Sequence, residues 1–118
     1  MITCYLRYFI TPGKQSDFEE YGRRWTKLIE KFGGKHLGYF IEDEAPNLQS
    51  AKHFSFPGLG KQGPSNVGIA LYSFPHLEAF NAYRKLAAED PECREVTAHF
   101  NTTQCFTGYE RNFVRRID

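Results

Sequence analysis

ITCYLRYFITPGKQSDFEEYGRRWTKLIEKFGGKHLGYFIE, residues 2–42, carries the change of period that decides the fold. At its start Ile2, Cys4, Leu6, Tyr8 and Ile10 alternate with Thr3, Tyr5, Arg7 and Phe9, the period of a strand. Thr11-Pro12-Gly13 breaks that run. Phe18, Tyr21, Trp25, Leu28, Ile29 and Phe32 then recur at helical spacing, and Arg23, Arg24, Lys27, Glu30 and Lys31 fill the other side. Ser16 and Glu19 are spaced as a capping box for this helix. Gly33-Gly34 ends it, because glycine accepts the left-handed backbone of a helix C-terminus without strain. Residues 36–42 are short, aromatic and strand-like. The stretch is a β-α-β unit.

Outward from it, the same order recurs. Residues 67–74 form a nearly apolar run expected in a central strand. Pro75 suits the start of a helix, and Leu77, Phe80, Tyr83, Leu86 and Ala87 form its stripe. Asp90 is spaced to cap a further short helix with Pro91 at its first position, and Val96 and Phe100 continue its apolar side. Residues 103–113 close the chain as a strand. Between the halves, residues 43–66 look irregular, with Pro46, Pro57, Pro64 and several glycines, and 43–65 is the segment expected to be most mobile. Right-handed crossovers then leave one natural solution. It is an α+β fold of one domain, residues 1–118, with ferredoxin-like βαββαβ order and a four-stranded antiparallel sheet carrying its helices on one face.

Composition bounds the function. The chain has 118 residues, 41% hydrophobic and 25% charged, which is enough for one core without staples. Its formal net charge of +1 favours neither nucleic acid nor an anionic membrane as partner. Cys4, Cys93 and Cys105 are widely spaced and show no C-x-x-C, which suits reduced, buried thiols and a cytoplasmic location. No targeting pattern and no apolar run of membrane-spanning length is seen.

Helices on one face leave the other bare. Assigning the more aliphatic rows, Ile2/Cys4/Leu6 and Val67/Ile69/Leu71, to the helices leaves Tyr5/Arg7/Phe9 and Ala70/Tyr72/Phe74 on the open side. Four strands of about six residues present roughly 400 Å². An aromatic patch of that size calls for cover, and a second copy of the chain is the simplest one. An Arg7 held between two sheets would need an anionic or carbonyl partner.

Several blocks, taken in order, carry a resemblance. They are Phe32-Gly33-Gly34-Lys35-His36-Leu37-Gly38-Tyr39-Phe40, Leu71-Tyr72-Ser73-Phe74-Pro75, Ala79-Phe80-Asn81-Ala82-Tyr83-Arg84, Asp90-Pro91-Glu92-Cys93 and Tyr109-Glu110-Arg111-Asn112-Phe113. Together they resemble the NIPSNAP family over most of the chain. The resemblance implies a homodimer in which two ferredoxin-like protomers form a dimeric α/β-barrel. It implies no particular reaction, since small monooxygenases, isomerases and haem proteins share that barrel class.

The chemistry-bearing residues each have two readings. His36, at the entry to a strand, could be a catalytic base, and it could equally be a capping or surface histidine. Strict alternation puts Tyr39 on the opposite side of that strand from His36. Tyr5, Tyr39, Tyr72 and Tyr109 could orient or protonate a substrate oxygen or simply pack. Arg7 and Arg84 could hold a carboxylate, and Arg84 could instead pair with Glu78 or Glu89. Gly58-Leu59-Gly60-Lys61-Gln62-Gly63 matches G-x-G-x-x-G, but a proline-bounded loop and a following strand replace the helix that the nucleotide motif needs. The histidines and cysteines lack metal-ligand spacing, so neither a metal nor another cofactor is expected. Two functions stay open: a small-molecule site in the barrel, for cofactor-free oxygenation or isomerisation of an aromatic or enol-like compound, and a non-catalytic dimeric binding or scaffold module.

Overall fold

The computed structural model describes residues 1–43, 56 and 58–118. The elements run β1 (Ile2–Ile10), α1 (Gln15–Lys31), β2 (Lys35–Ile41), β3 (Val67–Phe74), α2 (Leu77–Glu89), α3 (Pro91–Thr103) and β4 (Phe106–Val114). The strands form one sheet in the order β2-β3-β1-β4, with every neighbouring pair antiparallel. This is the ferredoxin-like α+β fold anticipated from the periodicities. Residues 43–65, the expected mobile segment, lie for the most part outside the described residues. The described part of the glycine motif, 58–63, is a turn and irregular chain leading to β3, with no helix after it.

Register decides what each face carries. Cys4 pairs with Tyr72, Leu6 with Ala70 and Tyr8 with Gly68, so these residues share a face. Cys4, Leu6, Tyr8, Ala70, Tyr72 and Phe74 are buried together with Phe18 and Ile29 of α1 and with Phe80 and Tyr83 of α2. The helix side of β3 is therefore Gly68/Ala70/Tyr72/Phe74, and Val67, Ile69 and Leu71 lie on the open side. This corrects the assignment made from aliphatic content. The physical reason is space. A Cβ at Gly68 would stand 2.5 Å from the Phe18 ring, so α1 can lie down only over the small residues of β3. Tyr72 and Phe74 then fill the wider gap toward α2.

Local chemistry sets the helix ends. α1 starts at Gln15 with Lys14 as N-cap and no side-chain cap. The turn at Thr11 hands the chain to the helix early, through Lys14 N–H to Thr11 O at 3.0 Å and Phe18 N–H to Lys14 O at 3.0 Å. Ser16 consequently sits inside the first turn, and the expected capping box does not form. α3 begins as read: Asp90 Oδ1 accepts from Glu92 N–H at 2.8 Å and Cys93 N–H at 3.2 Å, with Pro91 following. The other Asp90 oxygen takes Lys31 Nζ at 2.8 Å, which ties the end of α1 to the start of α3. His99 on α3 meets the Asp17 carbonyl at 3.0 Å and joins the same two helices at their other end. All three cysteines are buried and free. No described helix is long and apolar enough to cross a membrane.

Candidate functional site

The site is built on an irregularity in β2. His36 pairs with Tyr72, but the next partner in register, Leu71, belongs to Gly38, so Leu37 is an extra residue. Gly38 makes this bulge possible with φ +135°, a backbone that residues with a side chain rarely adopt. Beyond it Tyr39 pairs with Ala70. His36 and Tyr39 thus share the helix-facing side, contrary to strict alternation. Their rings stack at 5.0 Å with 18° between planes, and His36 also lies 6.2 Å from the Tyr72 ring.

The same bulge fixes the histidine's tautomer. His36 Nδ1 accepts the Gly38 N–H at 2.8 Å, which leaves the ring proton on Nε2. Nε2 is buried with no hydrogen-bond partner. Burial lowers the His36 pKa, with Glu30 opposing, so the ring is held neutral. His36 stands behind Tyr39 and Tyr72 and is not itself part of the cavity wall.

In front of those two rings lies a chamber of about 210 Å³ between the sheet and the helices. Tyr8, Tyr39 and Tyr72 enter from the sheet, and Tyr21, Trp25 and Tyr83 from the helices. Tyr109 and Arg111 of β4 stand at its rim. The Tyr8 and Tyr39 hydroxyls share a long hydrogen bond of 3.4 Å. Burial raises the pKa of Tyr8, Tyr21, Tyr39, Tyr72 and Tyr83, and mutual repulsion among the phenols adds to it. All five are therefore protonated, and one of the Tyr8 and Tyr39 protons is taken up in their shared hydrogen bond. Arg111 works against the rise at Tyr72 and Tyr83, which places its positive field on that side of the chamber. The Trp25 indole N–H is buried and lies toward the Tyr21 hydroxyl, whose pKa rise it opposes. A second lobe of about 130 Å³ adjoins, walled by Tyr72, Tyr83, Arg84 and Arg111. Among the described residues neither arginine has an ion-pair partner, so Arg84 does not pair with Glu78 or Glu89.

The structure therefore divides the residues singled out by sequence. Tyr39 and Tyr72 line the chamber, Arg84 lines its second lobe and His36 backs the first two. Tyr5 and Arg7 are elsewhere: they pair with Leu71 and Ile69 and face the open side. There Arg7 meets Glu110 across β4 at 3.7 Å and lies over the Phe9 ring at 5.5 Å. Sequence reasoning missed Tyr8, Tyr21, Trp25, Tyr83 and Arg111 as site residues. The first four read as ordinary core positions. The signal for Arg111 was present, since it alternates with Tyr109 and Phe113 in one row of β4 and faces the core opposite Leu6.

The family model NIPSNAP matches residues 5–117. The chain belongs to the NIPSNAP family. Among solved structures, a NIPSNAP family protein of Agrobacterium tumefaciens is similar at 18% identity and TM-score 0.70, covering 99% of this chain and 86% of that one. An uncharacterised NIPSNAP domain protein of Burkholderia xenovorans has 16% identity and TM-score 0.69, covering 98% and 94%. A putative antibiotic biosynthesis monooxygenase of Nitrosomonas europaea shares 8% identity and all of both chains at TM-score 0.64. No curated protein matches. At these identities the likeness of this NIPSNAP chain to solved structures is one of fold, and the chemistry must be argued from the chamber.

Proposed function

We propose that the protein binds a small planar organic acid or enol in the tyrosine chamber as the site of a cofactor-free conversion, either isomerisation of the enol or its oxygenation with dioxygen as the oxidant. The observation that carries this reading is the convergence of protonated phenols and, among the described residues, an Arg111 without an ion-pair partner on one chamber. Phenol O–H groups held neutral by burial donate to a carbonyl oxygen, and more strongly to the oxyanion of a ligand that enters already ionised as its enolate, which asks for no proton acceptor from the chain. Arg111 offsets the charge that develops beside Tyr72 and Tyr83. The oxygenation variant is the one that the name of the Nitrosomonas neighbour brings to mind. In this reading His36 fixes the attitude of Tyr39 and Tyr72. The reading gives it no part as a base, since its Nδ1 accepts from the Gly38 N–H.

The working unit in this proposal is a homodimer through the open sheet face, where Tyr5, Phe9, Ile69 and Leu71 are only half-buried. Arg7 would enter that interface with Glu110 already beside it.

Trp25 is the one tryptophan of the chain and lines the chamber, so its emission reports occupancy directly. Phenylpyruvate is expected to quench it. Arg111→Gln is expected to weaken that binding by about tenfold, the scale of one charge-assisted hydrogen bond, with melting unchanged. A silent Trp25 together with no co-purifying small molecule in native mass spectrometry would leave the non-catalytic module as the better reading.

A further inference from the structure

A groove adjoins the chamber. Between α2 and α3 runs a groove of about 500 Å³. Its sides are small: Ala87 and Ala88 on α2 face Thr97 and Ala98 on α3. Two cations stand over it, Arg84 and Arg94, and no carboxylate lines it. Among the described residues Arg94, like Arg84, has no ion-pair partner. The groove also shares walls with the site. Trp25 lines both the chamber and the groove, and Arg84 and Ala87 line both the second lobe and the groove.

Resting on the chamber as the ligand site, we infer that the ligand has two parts: a compact planar head among the tyrosines, and a slender extension in the α2–α3 groove that ends in a phosphate or carboxylate held by Arg84 and Arg94. Small side chains along the groove leave room for a thin chain and give it little to grip. Two unpaired guanidinium groups supply the grip, and both present paired N–H donors suited to either anion. The head alone would then bind weakly, and the anionic end would set affinity.

The test compares two thioesters of benzoylacetate on the full chain, read by Trp25 emission and by calorimetry. One is the N-acetylcysteamine thioester, which lacks an anionic end, and the other is the phosphopantetheine thioester, which has one. The phosphorylated probe is expected to bind about tenfold tighter. Arg94→Gln, whose side chain lines the groove and not the chamber, should erase that advantage and leave the uncharged probe within about twofold. Competition by millimolar inorganic phosphate but not acetate would assign a phosphate end, and the reverse a carboxylate end. Equal affinity of the two probes, or an advantage that survives both Arg94→Gln and Arg84→Gln, overturns the inference and leaves the chamber reading standing. If neither probe reaches Trp25, the chamber reading fails and takes the inference with it.

Discussion

At the scale of single residues, Gly38 and the buried phenols are the points of leverage. A Cβ at Gly38 would meet the Phe40 ring at 2.8 Å, in a backbone that already disfavours any side chain. Gly38→Ala is expected to cost on the order of 1–3 kcal/mol, read as a lower urea midpoint, and to blunt ligand binding by unstacking His36 from Tyr39. The phenols make a second prediction. Five of the seven tyrosines have raised pKa values in the folded chain. A raised value means that their contribution to stability is complete below the ordinary tyrosine value of about 10 and is lost as pH climbs toward the folded values. Absorbance of phenolate at alkaline pH should therefore appear for these five together with unfolding, in one cooperative step. A smooth titration of these five on an intact fold would contradict their burial. His36 has the opposite sign. Its lowered pKa gives a contribution present above about 6.5 and lost as pH falls, because burial disfavours the charged ring.

At the scale of elements, the junction of α1, α2 and α3 rests on Asp90. This one carboxylate caps α3 and anchors Lys31 from the end of α1, and both contacts hold its pKa below the usual range. Asp90→Ala should lower the melting temperature by more than Lys31→Met does, since the second change removes the Lys31 ion pairs to Asp90 and Glu92 and keeps the cap. Equal losses would show that the cap contributes no more than the Lys31–Glu92 pair. The helix reading from sequence held wherever an apolar stripe and a local cap agreed, as at Asp90-Pro91. It slipped at Ser16, where a turn upstream started the helix first. Stripe positions were also not all core. Leu77 and Leu86 fit the α2 stripe, yet they are 56% and 53% exposed, because only Phe80 and Tyr83 reach the sheet.

At the scale of the whole molecule, the helix-free face is expected to hold two chains together. Light scattering at micromolar concentration should give twice 13.7 kDa, and Ile69→Lys, at the centre of the open face opposite Arg7, should give the mass of one chain. The variant keeps the helix-side core, so its melting should remain cooperative. Tyr72 would be the wrong probe of this face, being 4% exposed beneath the helices. The element order, the antiparallel sheet and the one-sided helices followed from the sequence by itself, because periods of 2 and 3.6 are local properties and crossover handedness leaves few ways to join the pieces. Which face each strand turns to the core was decided only by tertiary structure. Alternation names two rows and cannot rank them, and the ranking came from the fit of Phe18 over Gly68. The site was decided there too. One extra residue at Leu37 turned Tyr39 to the side of His36, and long-range register brought Arg111 to the rim of a chamber whose other walls come from five different elements.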